Sequence, residues 1–329
     1  MEIQGKTIKK QNFLVNLLMS PEVGILIPLI ILCAITTMGN PLFLTFNNFS
    51  VILIYATFMG IMAIGQGVVI MSGEIDLSVG LNAGFSGIMF GYFTAVLQMH
   101  PVICIMAGLL TGTLIGFLNG YLVAKFGLVN FVTTLATMFL CWGLAVTLSG
   151  GRPQMLVSAP FYLKYNLEKP LGLSYSFFIL VAIFIIMEIV IRYTTVGRRI
   201  KAVGGNKEAA LMAGINVMKV KWSAYVLSGT LAAIGGILAS ISTNAAAPDF
   251  GPGLEFRTIT ACAVGGISFA GGSGSILGVG IGILFVNILN NCLQLLRVEA
   301  NWQLVIIGFV LVISVIMDNL KKDIQARNA

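Results

Sequence analysis

Charge is scarce in this chain. Charged residues make up 9% of its 329 positions, against about 25% in soluble domains. A water-facing surface cannot be covered with so few, so a soluble globular protein is excluded. Histidine is rarer still. His100 stands alone beside Pro101; one imidazole builds neither a zinc site nor a Ser-His-Asp triad, and it reads as a solvated turn residue. The five cysteines (Cys33, Cys104, Cys141, Cys262, Cys292) all fall inside apolar runs with no CxxC spacing. They read as small buried hydrophobes rather than metal ligands or disulfides. There is no HExxH, no GxSxG and no nucleophile–base spacing, so nothing argues for catalysis, a metal or a cofactor.

Apolar sequence, by contrast, is everywhere: 57% of the residues are hydrophobic. The runs are long enough for helices rather than barrel strands. The chain is read as an all-α polytopic membrane protein, one transmembrane domain over 1–329. About ten transmembrane helices are expected, near 23–39, 51–72, 78–97, 102–124, 131–149, 175–193, 222–243, 256–270, 275–295 and 301–317. No small-x-small cleavage site closes the first run after Lys6, Lys9 and Lys10, so it is read as a retained span.

An even number of spans puts both termini on one side. With that side cytoplasmic, only Arg152, Lys164, Lys169, Arg257 and Arg297 of the nineteen basic residues fall outside. That is a strong positive-inside bias, and it accounts for the net charge of +7 without nucleic acid. Two outer segments, 150–174 and 244–255, read either as plain connectors or as surfaces for an extracytoplasmic partner.

One stretch breaks the apolar pattern. Over 195–221, Arg198, Arg199, Lys201, Lys207, Lys219 and Lys221 crowd together. Inside it lies a short candidate helix, 207–213, with Asn206 as N-cap, Glu208 in the first turn and Gly214 to close it. At about 12 Å such a helix cannot cross a bilayer of about 30 Å. It must lie on the membrane or dock into something. A soluble ATP-hydrolysing partner is the reading adopted.

Further stretches carry chemistry. SGEIDLSVG, 72–80, puts Glu74 and Asp76 between two spans with almost no polar linker. Asp76 reads either as the cap of a tight turn with Ser78 or as part of a gate or substrate path. GGISFAGGSG, 265–274, has no strand before it and no Gly-Lys-Ser ending, so it reads as a helix break and not a phosphate loop. Gly112, Gly116, Gly120, Gly278, Gly280 and Gly282 suit close helix packing. Glu188 and Arg192, spaced i, i+4, read as a self-neutralising structural pair.

SGEIDLSVG, the run AVGGNKEAALMAGINV with the following KWSAYVLSGTLAAIGGILAS, and GLEFRTITACAVGGISFAGGSGS closely resemble permease subunits of ATP-binding-cassette importers for monosaccharides, the ribose permease family. NFVTTL, 130–135, also looks like the family's turn into a span. The likeness runs from about Phe43 to Met317. It implies a subunit of the bacterial cytoplasmic (inner) membrane that forms a dimer, most simply a homodimer, within membrane lipid. It binds no ATP itself. A cytoplasmic ATP-binding-cassette ATPase drives it, and a periplasmic or lipid-anchored sugar-binding protein delivers the sugar. The segment holding Gly205, Asn206, Lys207, Glu208, Ala209, Ala210, Met212 and Gly214 looks like the family's coupling helix. The sugar path would need weak polar contacts. Gln66, Glu74, Asp76, Asn82, Asn119, Thr133, Thr134, Asn287, Asn290 and Asn291 are candidates for the path or its gate; interhelical bridges are the alternative. An ion- or proton-coupled secondary sugar transporter is the rival reading. It would call for more intramembrane charge than Glu74, Asp76 and Glu188 supply. A membrane-embedded enzyme lacks any catalytic cluster.

Overall fold

A computed structural model describes residues 21–156, 162, 165 and 169–328. The expectations placed on Lys6, Lys9, Lys10 and Lys164 lie outside the described residues. The described chain is almost wholly helical: α1 (Pro21–Gly39), α2 (Phe46–Met71), α3 (Val79–Gly91, extended by a π-turn through Val96), α4 (Pro101–Phe126), α5 (Asn130–Ser149), α6 (Tyr175–Tyr193), α7 (Thr195–Gly205), α8 (Lys207–Met212), α9 (Val217–Thr243), α10 (Leu254–Val264), α11 (Ile276–Leu295) and α12 (Ala300–Asn328). Eight are long and apolar enough to cross a membrane. The expectation of about ten spans holds approximately: α1 has 19 residues, and α10 has only 11, about 17 Å.

Helix ends follow local chemistry. Thr45, Ser174, Asn216 and Ser275 cap α2, α6, α9 and α11 by accepting backbone N–H bonds. His100 does the same for α4, its Nδ1 accepting from Val102 N–H, which gives the lone imidazole a turn-capping role. Helices α2 and α9 form the centre, with 78% of their apolar windows buried, while α6 and α12 are peripheral at 17%. The outward apolar surface is large, including Ile30, Leu114, Val132 and Phe309, and it suits lipid rather than water.

With lipid outside, helices gain little from apolar contact alone and rely on close fit. Helices α4 and α9 meet through glycine: a methyl added at Gly116 would strike the Tyr225 carbonyl and Gly229, and one at Gly112 the Gly229 carbonyl. Gly278 and Gly282 pack α11 just as tightly on Gly265 and Ala261. Four cysteines are buried and Cys33 is half-buried, all of them free thiols.

The two expected outer segments join each other. Gln154–Met155 (β1) pairs antiparallel with Ala245–Ala246 (β2), and Leu156 N–H donates to the Asn244 carbonyl at 2.9 Å. Opposite them, at the far end of α9, three glycine-containing stretches converge. Gly272 N–H donates to the Met71 carbonyl at 3.0 Å, and Gly204 lies against both. The stretch after Gly265 is thus a helix break, as its composition suggests. It ends the expected 256–270 span at Val264.

Candidate functional site

The polar stretch folds as two helices where one was expected. Thr194 caps α7, accepting from Val196 N–H at 3.2 Å, and α7 buries Gly197, Ile200 and Val203. It ends at Gly205. Asn206 then caps α8, its Oδ1 accepting from Ala209 N–H at 2.9 Å. Ala210 is buried against Val203 and Val217, so one face of α8 is pinned to α7 and α9. The other face is free: Lys207, Glu208 and Ala209 are exposed, and Met212 is 93% exposed. Gly214 closes the helix at φ +75°, a conformation that suits glycine. Its amide and that of Ile215 return to the Leu211 and Ala210 carbonyls, each at 3.0 Å. The product is a short, rigid, capped finger.

Beside it, the segment between α2 and α3 is not a tight turn. It climbs along α9. Glu74 forms an ion pair with Lys221, Tyr225 Oη donates to the Ile75 carbonyl at 3.2 Å, and Ser228 Oγ donates to Asp76 Oδ2 at 3.0 Å. Asn130 Nδ2, at the start of α5, also donates to Glu74, at 2.7 Å. The Asp76 Oδ1 accepts from Ser78 N–H at 2.9 Å and Ser78 Oγ at 2.6 Å. Asn119 Nδ2 donates to Ser78 Oγ and Thr137 Oγ1 to Asn119 Oδ1, both at 2.8 Å. Thr137 also reaches the Thr133 carbonyl at 3.2 Å, and Thr134 Oγ1 donates to the Asn130 carbonyl. Asn82 Nδ2 donates to the Gly112 carbonyl at 3.2 Å. Glu74, Asp76, Asn82, Asn119 and Thr133 are all buried. Glu74, Asp76 and Asn119 tie the 72–78 segment to α5, α9 and α4, whereas Asn82 joins α3 to α4 and Thr133 Oγ1 turns back to the Val129 carbonyl at 3.0 Å.

The remaining candidates stand apart. Asn291 and Asn48 exchange amide hydrogen bonds at 2.8 and 2.9 Å, joining α11 to α2. Asn287 Nδ2 turns back to the Ile283 carbonyl at 2.8 Å. Gln66 is fully buried, and among the described residues neither of its amide atoms, nor Asn290 Oδ1, has a partner. Glu188 and Arg192 pair at 3.6 Å, and Glu188 Oε2 also accepts from Leu277 N–H at 3.2 Å.

A family model described as the permease component of the branched-chain amino acid transport system matches residues 48–315. The chain belongs to this family. This permease is accordingly a multi-pass inner-membrane protein. It is 34% identical over 300 residues to the ribose import permease protein RbsC of Escherichia coli K12, covering 90% of this chain and 93% of that one. The L-arabinose ABC transporter permease protein AraH of Azospirillum brasilense is 33% identical over 301 residues, covering 91% and 88%. The galactose/methyl galactoside import permease protein MglC of Escherichia coli K12 is 31% identical over 332 residues, covering 95% and 98%. No solved structure matches the chain.

Several members of the permease's polar tie escape sequence reasoning: Lys221 as the partner of Glu74, Tyr225, Ser228 and Thr137. A signal was present. Lys221, Tyr225 and Ser228 are spaced i, i+4, i+7, one polar stripe on a helix. Glu255 was also missed. It is 4% exposed at the start of α10, its Oε1 accepts from Gly253 N–H at 3.1 Å, and its Oε2 lies against Gly80. Two interrupted helices, α3 and α10, therefore begin side by side within the helix stack.

Proposed function

We propose that this chain is the membrane-spanning subunit of an ATP-binding-cassette importer that brings a monosaccharide, ribose or a related sugar, into the cytoplasm. Two copies form the path, a cytoplasmic ATPase turns it over, and an extracytoplasmic binding protein supplies the sugar. Helix α8 is the coupling element. The observation that carries this reading is the capped finger with Ala210 pinned against Val203 and Val217 and Met212 standing in solvent. A push on α8 must pass into α7 and α9, because Ala210 is packed against both. From α9 it passes through Lys221, Tyr225 and Ser228 to the 72–78 segment, and through Asn119 and Asn130 to α4 and α5. The gate role expected of Glu74, Asp76, Asn82, Asn119 and Thr133 is then a hinge: two packed states exchange these bonds as the opening changes side. Gln66, Asn287 and Asn291 belong to the path wall between α2 and α11 in this reading.

The test is reconstitution with a candidate ATP-binding-cassette ATPase and a sugar-binding protein. ATP-dependent uptake of ribose, arabinose or galactose into vesicles supports the proposal. Uptake driven by a proton gradient with no ATPase present overturns it in favour of a secondary transporter.

A further inference from the structure

Two adjoining grooves at the α7–α8 end differ sharply in chemistry. The first, about 550 Å³, lies between α7 and the turn that enters α9. Arg198, Arg199 and Lys219 line it, with no carboxylate in its wall, and among the described residues none of the three makes an ion pair. Three unpaired cations around one hollow attract an anion. The second groove, about 370 Å³, lies between α4 and α9. Its wall is Phe117, Tyr121, Met218 and Trp222, with Lys125 at the rim, and it shares Lys219 with the first. The position fixes the depth. Arg198 Nη1 donates to the carbonyl of Tyr193, the last residue of the α6 span, at 3.5 Å. The basic groove therefore lies just past the end of a helix long and apolar enough to cross a membrane.

We infer that the paired grooves hold one anionic phospholipid of the cytoplasmic leaflet, its phosphate among Arg198, Arg199 and Lys219 and an acyl chain along Phe117, Tyr121 and Trp222. A free phosphate explains only the basic half. An acidic protein surface leaves the aromatic half empty. A lipid uses both, and it is already present at that depth. Bound there, it steadies α7 against α9 next to the coupling finger.

The full chain, purified in mild detergent, is examined by native mass spectrometry and thermal unfolding with added dioleoylphosphatidylglycerol, dioleoylphosphatidylcholine, glycerol 3-phosphate or inorganic phosphate. Phosphatidylglycerol is expected to bind and raise the unfolding temperature, and phosphatidylcholine to do neither. The triple variant R198Q/R199Q/K219Q should weaken phosphatidylglycerol binding by about tenfold or more, given the strength of each basic contact at a membrane surface. Lys207→Gln, an equal charge removed outside both grooves, should leave it unchanged, and Trp222→Ala should weaken it. If Trp222→Ala fails to insert, Tyr121→Ala in the same wall replaces it. Equal retention of the two lipids overturns the inference. So does equal stabilisation by glycerol 3-phosphate, which would mean an anion site alone. Unchanged lipid binding with lost ATPase co-purification in the triple variant overturns it in favour of a protein-docking groove.

Discussion

At the scale of single residues, the Glu74–Lys221 pair is the most exposed to test. Both side chains are largely buried, 8% and 17% exposed, and Glu74 has a second tie to Asn130. Removing one member leaves the other charge stranded, which costs about 3 kcal/mol. Lys221→Met should therefore lower the unfolding temperature of the purified chain clearly. The double variant with Glu74→Gln should recover much of the loss, because both charges are then gone. A double variant as unstable as the sum of the singles would deny the coupling. Asp76 gives a graded case. It accepts three hydrogen bonds, two from Ser78 and one from Ser228. Asp76→Asn keeps an acceptor for Ser78, and its amide can meet the Ser228 oxygen. Asp76→Ala strands all three donors. The alanine variant should be the less stable by about 2 kcal/mol in the same unfolding experiment, and equal stability would mean the ties contribute nothing.

At the scale of elements, the finger depends on its caps. Helix α8 has six residues, too few to hold by propensity alone. Asn206→Ala removes the cap bond to Ala209, worth about 1 kcal/mol. Gly214→Val forces a branched side chain to φ +75°, though no atom crowds the site, so strain is the whole effect. Both variants should insert normally yet lose most sugar-stimulated ATP hydrolysis in the reconstituted importer. Normal stimulation would mean that α8 is not the coupling element. This helix was legible in the sequence because Asn206, Glu208 and Gly214 are local signals. So were α5 and α6, whose apolar runs stop at Gly150 and at Thr194 before the charged stretch. Helix α7 was not: the arginines hide its stripe of Val196, Ile200 and Val203, since charge density reads as loop. The course of the 72–78 segment was not legible for a different reason. Its composition allows a tight turn, and only the stripe on α9 reveals that an extended course satisfies Glu74, Ile75 and Asp76 in order. Helix α10 stops short because glycines from 265 onward let the backbone leave the helix and approach Gly278, a contact between segments that local sequence cannot disclose.

At the scale of the whole molecule, α9 sets the geometry. Its 27 residues span about 40 Å, enough to carry one end of the protein through a bilayer to the other. The finger stands at its start, and the β1–β2 pair closes its end. The basic residues crowd the first end, and that bias is the ground for proposing that it faces the cytoplasm. Orientation can be read directly, since Met212 is 93% and Met155 58% exposed, while four of the five native cysteines are buried and give little background. Met155→Cys should react with a membrane-impermeant maleimide in intact spheroplasts. Met212→Cys should react only after the membrane is opened, and it should be shielded when the ATPase is bound. Reaction of Met212→Cys in sealed spheroplasts would place the finger outside, where no ATP-driven subunit could reach it. The lever from α8 through Lys221 and Asp76 would then have nothing to push it, because that relay has force only if its α8 end lies on the side where ATP is hydrolysed.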